Sequence, residues 1–394
     1  MERDHRQPAR GVRRRPRGAG GRPERTGRAA RPPPGAGGRT LNTDDLRADF
    51  FTFRRALSRS NIPLSISCEL TYRCQLNCKH CYIDRNSSRA QEMSPAQWTT
   101  IFREAAELGD VNLLLTGGEP TLYPAFWELL EELGNDGFFI RLFTNAYDYN
   151  EEKVERLVQA NVRFIEVSLH GADARTQDAF SGVPGSFERI IRSLRLFREA
   201  GLFVKIKTSL LKENYRQHNR LERLAHNLGG TYVSTGYITP TNRGEQPVAD
   251  CYLSVDETAW VEGQRAVPRG AETRAHALEP VRRAVPCNAG LSTFAVSPNG
   301  DISPCIQTPL VLGKAAFQSV ARIWQHSSRL MYWRGIAKLV HPTCRDCRFA
   351  IQCSRCSGIA FLETGSAWKP SPTVCSQAKK NLQLHQILSA RADS

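Results

Sequence analysis

The run Cys74-Gln75-Leu76-Asn77-Cys78-Lys79-His80-Cys81 places three cysteines at a C-x3-C-x2-C spacing, directly after a strand-like segment. Three thiolates on one short loop can hold three corners of a cubane iron–sulfur cluster, which is normally held by four cysteines. The missing fourth ligand leaves one iron open, and an open metal position is where chemistry happens. Zinc is the competing guest. It favours a closed tetrahedron, commonly from paired C-x2-C units, and no fourth ligand lies nearby.

Outward from this loop, apolar runs alternate with amphipathic stretches from Pro63 onward. Leu64–Cys68 alternates with period two and reads as the first strand. Ser94 and Pro95 open a helix as cap and first-turn proline, and Gly109 ends it. Val111–Leu115 is a continuous apolar run, as a parallel strand buried on both faces requires. Further strands are expected at Phe138–Phe143, Phe164–Ser168, Phe203–Leu210 and Tyr232–Ile238, separated by helices near 124–133, 151–160, 186–200 and 214–228. Strands alternating with helices imply parallel βα units with right-handed crossovers. In barrels of such units the loops after each strand share one end, where ligands bind. The cysteine loop belongs at that end.

Other candidate residues fall at the same end. Thr116-Gly117-Gly118-Glu119-Pro120 follows the second strand, and its glycines allow close backbone approach. Thr144-Asn145 ends the third strand and Ser168-Leu169-His170-Gly171 the fourth. His170 reads equally as a substrate-facing or a satisfied loop histidine. The C-terminal third holds seven more cysteines: Cys287 and Cys305 in a C-x12-G-x4-C pattern through Gly300, then Cys344, Cys347, Cys353 and Cys356 as C-x2-C-x5-C-x2-C, then Cys375. Zinc ribbons also use C-x2-C pairs, but seven thiolates fit a four-plus-three division better as iron–sulfur than as zinc. Cys68 reads as a small core residue. Cys251 reads as an inert thiol or as a hydrogen-atom donor facing the site.

The triad, with His80 in the ring-bearing position before its last cysteine, resembles the signature of the radical S-adenosylmethionine (SAM) superfamily. The later cysteines resemble its SPASM extension, found in peptide-modifying maturases such as pyrroloquinoline quinone precursor cyclases and in anaerobic sulfatase-maturating enzymes. The resemblance covers about residues 63–380. It implies an α/β fold: a partial (β/α)6, TIM-like barrel with a C-terminal cysteine-rich iron–sulfur extension. It implies a catalytic [4Fe-4S] cluster on Cys74, Cys78 and Cys81, with SAM contacts from Gly117, Gly118, Glu119, Asn145 and Ser168. It further implies two auxiliary [4Fe-4S] clusters, one on Cys344, Cys347, Cys353 and Cys375, the other on Cys287, Cys305 and Cys356.

Three departures stand out. Where relatives often carry an arginine for the SAM carboxylate, this chain has Phe180 followed by Ser181, which leaves Lys207 as a candidate donor. Where some relatives have an extra cysteine, it has Thr293, so the three-cysteine cluster has an open iron or a non-cysteine ligand. Where sulfatase-maturating relatives carry an acid after the second SPASM cysteine, it has Ile306. The leading expectation is therefore reductive SAM cleavage to a 5′-deoxyadenosyl radical that modifies a ribosomally made peptide by crosslink, thioether or a related change. The alternatives are formylglycine formation on a sulfatase, radical modification of a small molecule such as a haem precursor, and, from another class, a non-catalytic iron–sulfur or zinc protein.

Composition sets the frame. The 394 residues are 40% hydrophobic, enough for a sizeable core. There is no apolar stretch of membrane-spanning length and no signal-peptide core. Cysteines at metal-ligand spacings without an export signal suit a reducing cytoplasm. The net charge of +15 is uneven: residues 1–40 hold twelve arginines against Glu2, Asp4 and Glu24, leaving +6 for the rest. This segment is rich in Pro and Gly and lacks apolar periodicity, so disorder is expected over 1–45. Three readings compete: a basic arm for nucleic acid or an acidic peptide, a passive tail, and sequence upstream of the true start, of which the last two are favoured. No aromatic residue interleaves its arginines, so a nucleic-acid partner is not expected. The expected organisation continues as barrel 60–245, bridging region 246–286, SPASM domain 287–380 and C-terminal tail 381–394. Expected partners are a peptide substrate and a flavodoxin- or ferredoxin-type reductant. With no room for a peptide-recognition domain ahead of Pro63, a separate leader-peptide-binding protein is also expected wherever a leader is used.

Overall fold

The computed structural model describes residue 53 and residues 56–84, 91–109, 112–245, 248–264, 287–337 and 339–392. The tail expected over 1–45, residues 265–286 of the bridging region and Val111 lie outside the described residues.

Strand β1 (Ser65–Thr71) alternates as its sequence demands. Ile66, Cys68 and Leu70 are wholly buried in the main core, which places Ser65, Ser67, Glu69 and Thr71 on the opposite face. Helix α1 (Pro95–Glu107) starts at a reciprocal cap: Ser94 accepts from the Gln97 amide while the Gln97 side chain accepts from the Ser94 amide. It buries Trp98, Ile101, Phe102 and Ala105, one helical face, against the sheet. The pattern then repeats through β2 (Asn112–Gly117), α2 (Phe126–Asn135), β3 (Phe139–Thr144), α3 (Glu151–Gln159) and β4 (Phe164–Ser168). It continues through α4 (Ala174–Ser181), α5 (Ser186–Glu199), β5 (Val204–Ser209), α6 (His218–Asn227) and β6 (Thr231–Thr235).

The sheet order is β6-β5-β4-β3-β2-β1-β7-β8-β9, and β1 to β6 pair in parallel with their sequence neighbours. This is the mixed α/β barrel expected, with every strand-following loop at one end. The sequence reading passed over α4, although Asp173 caps its start by accepting from the Thr176 amide and Gly182 ends it at φ 68°. The run is short and mostly polar, so its periodicity is faint. Strand β6 also ends three residues before the expected Ile238.

Beyond the barrel, α7 (Val255–Gln264) falls within the expected bridging region. Strand β7 (Thr293–Val296) then adds to the free edge of β1 in parallel, followed by antiparallel β8 (Asp301–Ser303) and β9 (Gly313–Lys314). The cysteine-rich region thus continues the barrel's own sheet. Helices α8 (Val320–His326), α9 (Ser328–Ala337), α10 (Pro342–Arg345), α11 (Ser357–Thr364) and α12 (Pro372–Ala392) complete the fold. Helix α12 runs unbroken across the boundary expected at 380. Among the described residues no helix is long and apolar enough to cross a membrane.

Trp98 tests the α1–sheet contact. It is fully buried, and its indole nitrogen has no hydrogen-bond partner among the described residues. Trp98→Ala should cost about 3–5 kcal/mol in urea unfolding. Trp98→Phe, which keeps a ring and removes the unpartnered donor, should cost much less.

Candidate functional site

At its first foot the cysteine loop lies backbone to backbone against the turn that follows β2. The Gly118 amide donates to the Thr71 carbonyl at 2.8 Å and the Glu119 amide to the Arg73 carbonyl at 2.8 Å. A Cβ on Gly117 would stand 2.2 Å from the Thr71 oxygen, and one on Gly118 2.3 Å from the Arg73 oxygen. Gly117 also adopts φ +130°. The two glycines are therefore required by the approach of two backbones. The middle of the loop rests on the end of α4: the Asn77 amide donates to the Ser181 carbonyl at 2.7 Å and the Lys79 amide to that of Phe180 at 3.4 Å.

Glu119 is buried, and its carboxylate is surrounded by donors. It accepts from Thr144 Oγ1 at 2.8 and 2.9 Å, the Asn145 amide at 2.8 Å and Thr121 Oγ1 at 2.9 Å. Burial nonetheless raises its pKa, against the lowering by these hydrogen bonds. Asn145 links this acid to the cysteines: its Nδ2 lies 3.5 Å from Cys74 Sγ, and its Oδ1 accepts from Gln75 Nε2 at 3.3 Å. Desolvation, with smaller contributions from Glu119 and Cys81, pushes the Cys74 thiol up to about 11. Cys74, Cys81, Glu119 and Asn145 are thus one electrostatic neighbourhood. Ser168 ends β4 in register with Lys207 of β5.

Above α4 stands an aromatic cluster. His170 stacks on Phe180 at 4.4 Å between ring centroids, and His80 meets both edge-on, at 4.5 Å and 4.8 Å. Burial lowers His80 to about 4 and His170 well below the usual histidine value, so both rings are neutral. His170 Nδ1 accepts from the Ser209 amide at 3.1 Å, while His80 Nδ1 and His170 Nε2 are buried with no partner among the described residues. Phe180 is a packing residue under the cysteine loop. Lys207 is engaged with Glu166 at 2.8 Å and lies over the Phe143 ring, and Arg141 grips the other oxygen of Glu166 at 2.5 Å.

The C-terminal cysteines fall into two neighbourhoods. Cys287, Cys305 and Cys356 line one cavity of about 180 Å³ with Ile306, Gln307, Trp333 and Ser357. Burial first, then Cys287 and Cys356, push Cys305 up to about 12. The Ala289 amide donates to Cys287 Sγ at 3.3 Å, and Thr308 Oγ1 lies 3.1 Å from Cys305 Sγ. Thr293 lies in β7 and does not line the cavity. In the second neighbourhood burial raises Cys353 and Cys375, and each feels the charges of Cys344 and Cys347.

Among the described residues no three His, Cys, Asp or Glu side chains stand in the arrangement that holds a single metal ion. A cubane spreads its ligands wider than one ion does. The three-thiol cavity is smaller than a small-molecule pocket, typically about 300–1,000 Å³, and its soft sulfur donors suit a compact inorganic guest. The donor sets therefore fit iron–sulfur clusters. Thr144, which the sequence places at this end, holds Glu119, whereas Tyr72 and Tyr82, which both reach Glu69, went unnoticed in the sequence. Only the adjacency of the tyrosines to the cysteine motif hinted at them.

Comparison with known proteins agrees with this construction. Residues 68–242 match the model of the radical SAM superfamily, and residues 287–348 that of the SPASM iron–sulfur cluster-binding domain. The chain therefore carries a radical SAM domain followed by a SPASM domain, and it is an enzyme; these domains imply [4Fe-4S] clusters and SAM binding. It is 27% identical to the AdoMet-dependent heme synthase of Methanosarcina barkeri, over 80% of this chain and 97% of that protein. It is 28% identical to the PqqA peptide cyclase of Methylocella silvestris, over 79% and 87%. Its fold is similar to that of Streptococcus suis SuiB bound to precursor peptide SuiA, with a TM-score of 0.61, 19% identity, and coverage of 85% of this chain and 82% of that one.

Gly118→Ala should displace the first foot of the loop, because its Cβ would meet backbone that cannot move aside. The far-ultraviolet dichroism should stay native. Iron loading after anaerobic reconstitution should fall below that of the unaltered protein.

Proposed function

We propose that this enzyme uses SAM-derived radical chemistry to modify a ribosomally made peptide. The observation that carries the reading is the combination of the triad loop with a separate three-thiol cavity whose sheet is continuous with β1. Two relatives in the comparisons, a peptide cyclase and an enzyme seen with its precursor peptide, support a peptide substrate.

On this reading Cys74, Cys78 and Cys81 hold the catalytic cluster. Gly117, Gly118, Glu119, Asn145 and Ser168 form the SAM site. Cys344, Cys347, Cys353 and Cys375 hold one auxiliary cluster, and Cys287, Cys305 and Cys356 the other. The chemistry supplied by a reduced cluster with SAM is homolytic hydrogen-atom abstraction. The chain's own work is placement and exclusion of water. Asn145 fixes Cys74 relative to Glu119, and His80, His170 and Phe180 pack as one ring cluster beneath the cysteine loop. Ile306 lines the auxiliary cavity where an acid would serve as base, which weighs against formylglycine formation. A second reading, modification of a haem precursor, is favoured by one observation: the heme synthase relative aligns over nearly its whole length.

The test is direct. Reconstituted protein should bind about 12 Fe per chain, as three cubanes. Replacing Cys74, Cys78 and Cys81 together by Ala should remove about one third of that iron and all deoxyadenosine formation. Cys356→Ala should stop product formation while sparing uncoupled SAM cleavage. The cognate peptide should lose about two hydrogens in mass when a crosslink forms. Turnover on a haem precursor and on no peptide encoded nearby would decide for the second reading.

A further inference from the structure

Glu69 is buried at 4% exposure on the lumen face of β1, and no cation among the described residues pairs with it. A carboxylate is costly to bury unless its oxygens are used. Both are. Tyr72 Oη donates to Oε2 at 3.1 Å, and Tyr82 Oη donates to Oε1 at 2.5 Å. Tyr72 precedes Cys74 by two residues and Tyr82 follows Cys81 by one, so a single side chain ties both feet of the cysteine loop.

The two feet are not equally supported. The first has two further backbone bonds, from Gly118 and Glu119. The second has one backbone bond, from the Asn242 amide to the Tyr82 carbonyl at 2.9 Å; two residues on, Asp84 adds a long bond from its amide to Asn242 Oδ1 at 3.4 Å and an ion pair with the exposed Arg243 at 2.7 Å. Strand β1, which carries Glu69, is paired on both sides, with β2 and with β7. Glu69 therefore transmits the rigidity of a central strand to the less supported foot.

We propose that Glu69 is a positioning residue which, through Tyr82, fixes the second foot of the cysteine loop and so sets the orientation of Cys81 toward the catalytic cluster. The proposal rests on the reading of Cys74, Cys78 and Cys81 as cluster ligands. A carboxylate accepts from both phenols, each on its own oxygen; a glutamine has one accepting oxygen, so one phenol must turn to accept from its NH2 and the charge-assisted bond on that side is lost.

The test uses full-length, anaerobically reconstituted protein. Two quantities are read: the change that SAM induces in the electron paramagnetic resonance of the reduced protein, and the rate at which a chelator removes iron. Glu69→Gln and Tyr82→Phe should alter the SAM-induced spectrum and speed release of about one third of the iron roughly tenfold, the scale of a lost charge-assisted hydrogen bond. Tyr72→Phe should change both by much less. The double variant Glu69→Gln with Tyr82→Phe should be no worse than either alone, since both remove one interaction. An unchanged spectrum and release rate in Tyr82→Phe would overturn the proposal. So would equal acceleration for all the iron, which marks general loosening of the fold. Tyr82→Phe removes one hydroxyl and keeps the proposal testable should Glu69→Gln fail to fold. A SAM-induced spectral change that survives replacement of the three cysteines would instead sink the ligand assignment, independently of Glu69.

Discussion

The contact on which the site depends is backbone against backbone: the Gly117-Gly118 turn lying on Thr71–Arg73. Each glycine faces a carbonyl oxygen where any side chain would collide, at 2.2 Å and 2.3 Å. The two amide bonds made there join the ends of β1 and β2, which the parallel ladder has already placed side by side. The cysteine loop thus starts from a fixed point, and the Glu119 carboxylate is delivered within reach of Asn145 and Cys74 by the same turn. Nothing in this arrangement requires a long-range fold property beyond the pairing of β1, β2 and β3.

Much of this was legible in the sequence because it is local. The C-x3-C-x2-C spacing, the glycine pair after a strand and the alternation of Ile66, Cys68 and Leu70 are read within a few residues. Strand β7 was not legible. It is four residues long, and what defines it is its pairing with β1, more than two hundred positions earlier. Phe180 and Lys207 show a related limit. Sequence could say that an expected arginine was missing, but not that Phe180 stacks on His170 beneath the loop or that Lys207 is committed to Glu166. Glu69 was passed over for the same reason: its meaning depends on two tyrosines brought together only when the loop closes.

The addition of β7 to β1 has a mechanical consequence. Cys287 precedes β7 and Cys305 follows β8, so two of the thiols of the three-cysteine cavity hang from strands hydrogen-bonded, directly or through one neighbour, to the strand that leads into the cysteine loop. The third, Cys356, sits at the start of α11, where Gly358 lets Thr308 approach: a Cβ there would lie 2.5 Å from its hydroxyl. The separation of the two cysteine systems is therefore set by sheet geometry rather than by a linker. A shared sheet is stiff, which on the proposed reading suits two centres that act on one substrate.

The buried acids divide by location in a way that bears on the ligand. Glu166, between β3 and β5, is held by Arg141 and Lys207, and these bonds and charges keep its carboxyl low despite burial. Glu69 and Glu119, beside the cysteine loop, are satisfied instead by phenols, hydroxyls and backbone amides, and burial raises both, Glu69 to about 7. Neutral donors satisfy a carboxylate's lone pairs without cancelling its charge, whereas an ion pair does cancel it. A site that is to receive a ligand carrying an ammonium and a sulfonium gains from acids left electrostatically uncompensated, because the ligand itself then supplies the missing positive charge. On the proposed reading, the absence of a lysine or arginine partner at Glu119 among the described residues is what makes the mouth of the barrel selective for a cationic cofactor, while the paired Glu166 serves only the wall.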